Sequence, residues 1–159
     1  MTRHIVLLRG INVVKHRRVA MADFRSLLSG LGYTGVATYI QSGNAVLTAD
    51  ETDPEEVAAA VREALHAGLG LDVPVLVRTL DRFRAVVAAN PLPVPEPSVF
   101  MVLFCSEPVD TAALAGIDQA DQPFVALAFA VTFRAFGGAG DQPELLGAPF
   151  QAFPLPLLG

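Results

Sequence analysis

The chain has no tryptophan, one cysteine and few cations, and most of these scarcities exclude a class of protein. A lone thiol, Cys105, cannot close an internal disulfide, so the fold must rest on its packed core, and a reducing compartment is expected. The longest apolar run, Phe124–Phe133, falls well short of the roughly 20 residues that span a bilayer, and Arg134 ends it. Met1-Thr2-Arg3-His4 lacks the apolar core of a secretory signal, so the expected location is the cytoplasm, with no membrane partner. Eleven Lys and Arg against sixteen Asp and Glu leave a net charge of −5, the wrong sign for strong nonspecific binding to nucleic-acid phosphates.

Catalytic motifs are missing too. The sequence holds no Gly-x-Ser-x-Gly, Cys-x-x-Cys, His-x-x-x-His or Gly-x-x-x-x-Gly-Lys pattern. Cys105 follows the apolar run Phe100–Phe104 and reads as a small buried hydrophobe rather than a nucleophile. His66, close to the end of a helical stretch, is explained by the helix dipole. No catalytic residue, metal ligand or cofactor is therefore nominated.

What is present suits one domain or two small halves: 159 residues, 52% of them hydrophobic, with a mean hydropathy of +0.47. Charge is unevenly spread. Residues 1–50 carry six basic and two acidic groups, a net of +4, and the remainder five and fourteen, a net of −9. That asymmetry predicts a local positive patch on an acidic body.

The hydrophobic pattern reads as strand Arg3–Leu8, helix Met21–Leu31 with Gly32 as its stop, strand Val36–Ile40, and a Ser42-Gly43-Asn44 turn into Ala45–Leu47. A second helix starts at Asp53-Pro54-Glu55-Glu56, where Asp53 caps, Pro54 opens the first turn and Glu56 closes a capping box, and it runs to His66-Ala67-Gly68. Strand Val73–Val77 follows. The order is β-α-β-β-α-β, which predicts an α+β fold: a ferredoxin-like split unit, an α/β sandwich of a four-stranded antiparallel sheet backed by two helices.

The expected organisation is residues 1–79 as this half, 80–97 as a connecting helix and proline-rich linker, and 98–159 as a second, incomplete half. Val99–Cys105 starts that half, Thr111–Gly116 supplies a helix, and Phe129, Val131 and Phe133 alternate as in a strand. Beyond Pro149 the tail is apolar, proline-rich and expected to lack regular structure.

Two segments stand out: Leu7-Leu8-Arg9-Gly10-Ile11-Asn12-Val13, and Tyr39-Ile40-Gln41-Ser42-Gly43-Asn44, with the basic run Lys15-His16-Arg17-Arg18 between them. In this combination and spacing the chain resembles a family of bacterial proteins known as domain of unknown function 1697. The resemblance implies two copies of the βαββαβ unit and no known activity. Relatives carry Gly-Gly where Val14-Lys15 stands here and end in a basic segment, whereas after Gln119 this chain has Arg134 as its only cation.

Functionally, cations clustered near a glycine and a helix start are the chemistry of an anion site. The expected function is binding of a small phosphate-bearing ligand. Arg9, Lys15, Arg17 and Arg18 would meet charge; Asn12, Gln41 and Asn44 would orient the ligand beside Tyr39, provided that loop and hairpin converge. Two alternatives are single-stranded RNA on the sheet face and a protein-interaction module using the apolar C-terminal half.

Overall fold

A computed structural model describes residues 1–12, 18–39, 41, 43–92, 100–115, 124–127, 130–134 and 150–154. The chain divides into two compact units, Met1–Phe83 and Arg84–Gly159. The architecture is mixed α+β.

In the first unit the elements run β1 (Thr2–Leu8), α1 (Met21–Gly30), β2 (Thr34–Tyr39), β3 (Asn44–Ala49), α2 (Pro54–Leu69) and β4 (Val75–Thr79). The strands form one antiparallel sheet in the order β2-β3-β1-β4. β1 is central and buried from His4 onward, as its unbroken apolar run requires. Alternation then sorts its side chains. Val6 and Leu8 join Phe24 and Leu28 of α1 and Val57, Val61 and Leu65 of α2 in one core, while Ile5 and Leu7, also buried, point to the opposite face.

Local chemistry ends the helices close to the expected places: α1 stops one residue before Leu31, and α2 runs one residue past Gly68 to Leu69. Gly32 (φ 86°) follows α1, and its amide donates to the Ser29 carbonyl. Gly70 (φ 64°) closes α2, its amide donating to His66 and that of Leu71 to Leu65. At the other end of α2, Asp53 Oδ1 accepts from the Glu55 amide at 2.9 Å. The capping box differs from expectation. The Asp53 amide is taken by Glu51 Oε1 at 2.8 Å, which also holds the Thr52 amide, so Glu51 fills the place assigned to Glu56. Removing the remaining cap with Asp53→Ala should cost about 1 kcal/mol in a urea unfolding experiment.

β4 begins two residues later than its apolar pattern suggested. Pro74 has no amide to give a ladder, and its carbonyl is taken by the Arg9 amide at 3.1 Å; regular pairing starts only at Val75. His4, which carried no expectation of its own, is fully buried, and its Nε2 donates to the Glu51 carbonyl at 2.9 Å.

After α3 (Leu80–Ala88), the second unit has β5 (Phe100–Cys105), α4 (Thr111–Leu114), β6 (Phe124–Leu127), β7 (Ala130–Arg134) and β8 (Phe150–Pro154). Its sheet is antiparallel in the order β6-β7-β5-β8, the same order as the first when each is numbered from its own first strand. Asp110 caps α4 by accepting from the Ala112 and Ala113 amides.

The expectation that regular structure fails after Pro149 is corrected, because Phe150–Pro154 pairs with β5. β8 is the last strand of its sheet and Pro154 its last residue, a place where a missing amide is tolerated. The linker from residue 93, Phe129 and the stretch between β7 and β8 lie outside the described residues.

Candidate functional site

Three backbone features bring the first loop and the hairpin together. The ladder between β1 and β3 extends one step past the strands, with the Leu8 amide donating to the Gly43 carbonyl at 3.1 Å. The Arg9 amide then turns to Pro74 on the other side, so the backbone at Arg9 is tied to both neighbouring segments. Gly10 (φ 71°) and Asn12 (φ 56°) next bend the chain through left-handed conformations, which asparagine tolerates better than other non-glycine residues. Ile11, only 3% exposed, is driven beneath the hairpin turn.

Asn12 closes the arrangement. Its Nδ2 donates to the Val19 carbonyl at 3.0 Å and to the Gln41 carbonyl at 2.9 Å. Its Oδ1 accepts from the Val19 amide at 2.9 Å. One side-chain amide thus imitates a strand neighbour for Val19, shutting the loop at its far end, and bolts that loop to the hairpin. The start of the loop and the hairpin therefore meet at Asn12 and Gln41.

The candidate residues sort into three groups. Arg9 and Arg18 are exposed at the two ends of the loop, and neither guanidinium has a hydrogen-bond or ion-pair partner among the described residues. Gln41 is exposed in the turn, Tyr39 is half-buried at the end of β2, and Asn44 is 1% exposed at the start of β3. Lys15 and Arg17 lie outside the described residues, as does Ser42. Just beyond Arg18, Ala20 occupies the N-cap of α1 and makes no side-chain cap, so the first amides of the helix have no side-chain partner there. Arg25, by contrast, is engaged, with Nη1 donating to Thr38 Oγ1 at 2.6 Å.

Sequence reasoning missed Pro74, Ile11 and Val19 as parts of this framework. No local pattern marks a carbonyl that will receive a distant amide. Gly43 was legible as a turn residue, but not as the point where Ile11 and Leu8 press on the hairpin.

At the opposite end of the sheet, Tyr33 has its phenol pKa raised, first by burial and then by the Glu51 carboxylate. The folded chain therefore holds this proton more tightly than the unfolded chain. The contribution is complete below the ordinary phenol value of about 10 and is lost as pH climbs through the raised one. Stability above about pH 10 should fall less steeply in Tyr33→Phe than in the unaltered chain, and the late phase of tyrosinate absorbance should vanish in the variant.

Among the described residues no group of three or more His, Cys, Asp or Glu side chains is placed to hold a metal, and no helix is long and apolar enough to cross a membrane. Cys105 is buried.

A four-stranded antiparallel sheet of this order with its helices defines a mixed α+β protein. The description "Protein of unknown function (DUF1697)" matches residues 1–130, and the chain belongs to that family. It is similar in fold to the conserved bacterial protein SP0830 from Streptococcus pneumoniae, with a TM-score of 0.70 at 24% identity, covering 86% of this chain and 78% of that one. No curated protein matches the chain.

Proposed function

We propose that this chain is a non-catalytic binding protein that takes a small phosphate-bearing anion at the loop between β1 and α1. The observation that carries the reading is the Asn12 clamp. It holds the loop against the hairpin while Arg9 and Arg18, at the loop's two ends, are exposed and without partners among the described residues. Arginine's planar fork matches phosphate oxygens in two-pronged hydrogen bonds. The uncapped start of α1 adds amide donors of the same polarity. Lys15 and Arg17, lying between Asn12 and Arg18 in sequence, would add charge, and Gln41, exposed in the turn, would orient the ligand from the hairpin.

The scaffold is, in this reading, the ferredoxin-like split βαββαβ unit. The order β2-β3-β1-β4, all antiparallel with α1 and α2 as crossovers, supports it. A cytoplasmic setting is supported by the lone, buried Cys105. The anion reading stands ahead of RNA on the sheet face. On that face β1 offers Ile5 and Leu7, both buried, and β1 has no aromatic on which a base could stack.

The test is titration with inorganic phosphate and pyrophosphate, followed by thermal unfolding and calorimetry. Saturation at 100 times the dissociation constant should stabilise the fold by about 2.7 kcal/mol. Arg9→Ala and Arg18→Ala should each weaken binding about ten- to hundredfold, the worth of a charge-assisted hydrogen bond. Absence of any stabilisation by either anion would sink the proposal.

A further inference from the structure

Resting on the anion site proposed above, we infer that its ligand is a small phosphate ester bearing free hydroxyl groups, with the phosphate on Arg18 and a hydroxyl on the Gln41 carboxamide. Of the three neutral amides at the loop and the hairpin, the fold leaves one for this task. Asn12 is spent: its two N–H groups go to the Val19 and Gln41 carbonyls, and its oxygen takes the Val19 amide. Asn44 is 1% exposed. Gln41 is exposed, and Asn12 holds it by its backbone carbonyl alone. The Gln41 side chain has no hydrogen-bond partner among the described residues.

The same clamp fixes where Gln41 stands relative to Arg18. Asn12 Oδ1 accepts from the amide that follows Arg18, and Nδ2 of the same side chain donates to the Gln41 carbonyl. With standard covalent geometry, those two contacts put the Cα atoms of Arg18 and Gln41 no more than about 13 Å apart. Both side chains are exposed, so a guanidinium and a carboxamide can meet opposite parts of one small molecule across that gap.

The two groups recognise different chemistry. A guanidinium has donors only and matches the oxygens of a phosphate. A carboxamide offers an acceptor beside its two donors. A phosphate dianion without hydroxyls on its ester group presents acceptors only and leaves the Gln41 oxygen unused. A hydroxyl a few atoms from the phosphate supplies the missing donor and accepts a carboxamide N–H in return. The pair therefore selects a phosphorylated polyol or sugar over a plain phosphate.

The experiment is calorimetric titration of the unaltered chain, Gln41→Leu and Gln41→Glu with methyl phosphate and glycerol phosphate. The two esters carry the same charge, and only the second has hydroxyls. On the unaltered chain glycerol phosphate should bind about three- to tenfold tighter, the worth of one hydrogen bond. Gln41→Leu should erase that preference and leave methyl phosphate unchanged, because the Asn12 clamp uses only the backbone of Gln41. Gln41→Glu sets a carboxylate against the phosphate and should weaken both esters, less so at high salt. Equal affinity for the two esters on the unaltered chain, a comparison that needs no variant, would overturn the inference and leave the anion site standing. A preference that survives Gln41→Leu, or unweakened binding in Gln41→Glu, would do the same. No binding of either ester would remove both.

Discussion

Gly43→Ala is expected to destabilise the protein by about 3 kcal/mol, the largest effect of any single methyl group considered. Two independent costs meet at this position. Gly43 has φ 78°, where an L-residue with a Cβ pays roughly 1–2 kcal/mol. The added Cβ would also lie 2.5 Å from Ile11 Cδ1, 2.9 Å from Ile11 Cγ1 and 2.9 Å from Leu8 Cβ. The end of Ile11 can rotate away. Leu8 Cβ cannot, because it is fixed to a backbone whose amide bonds Gly43 itself. Overpacking of this kind costs typically 1–3 kcal/mol.

Gly70→Ala is the control that separates the two costs. Gly70 has a similar φ of 64° but nothing within 4 Å of an added Cβ, so only the conformational cost remains, about 1–2 kcal/mol. Urea unfolding of both variants decides the matter. If Gly43→Ala loses no more than Gly70→Ala, the hairpin does not press on Leu8 and Ile11 as described.

The second large effect concerns Asn12. Asn12→Ala removes three hydrogen bonds at once and leaves the backbone of the buried Val19 without its side-chain partner. It also leaves a φ of 56° to a residue that supports it less well than asparagine. Unmade hydrogen bonds at buried groups cost about 1–3 kcal/mol each, and partial access of water to the Gln41 side brings the expected loss to about 3 kcal/mol.

Asn12→Asp is the sharper test, because it changes the shape of the side chain hardly at all. The Val19 amide keeps its acceptor. The second carboxylate oxygen, however, now faces the Val19 and Gln41 carbonyls, where Asn12 presented two donors. The variant should therefore be at least as unstable as Asn12→Ala, and the Val19 amide should exchange with deuterium faster in both. A stable Asn12→Asp would show that shape rather than donation holds the loop. Asn12→Gly adds a further check. It removes the bonds but not the left-handed tolerance, so it should be the mildest of the three. At the proposed anion site, phosphate affinity should fall in all three variants in step with the loosening of the loop, because Asn12 holds Val19, the neighbour of Arg18, and the hairpin together.

These two positions mark where sequence reading stops. Gly43 could be read as a turn residue from Ser42-Gly43-Asn44 alone, since a positive φ is a property of the local chain. Its intolerance of a methyl group could not, because Leu8 and Ile11 lie more than thirty residues away in sequence. Likewise, Asn12 reads from the sequence as a residue that would orient a ligand. Only the fold reveals that its amide serves Val19 and Gln41 as a surrogate strand.

At the start of α2 the same division shows on a smaller scale. The Asp53-Pro54 start was legible. Whether Glu51 or Glu56 would satisfy the Asp53 amide depended on how β3 delivers the chain to the helix.

The sequence by itself determined the order of the elements in the first unit, the starts of its helices and the place of the hairpin turn. Those depend on periodicity, caps and glycine conformation within a few residues. It also concentrated the cations in the first fifty residues. The tertiary structure alone decided the rest: the late start of β4 once the Pro74 carbonyl takes the Arg9 amide, the burial of His4 and Asn44, the strand at Phe150–Pro154, and the bond that ties Asn12 to the hairpin at Gln41. Each of those depends on hydrogen bonds or contacts between residues distant in the chain. Which distant groups meet is set by the register of the sheet, and no local pattern records it.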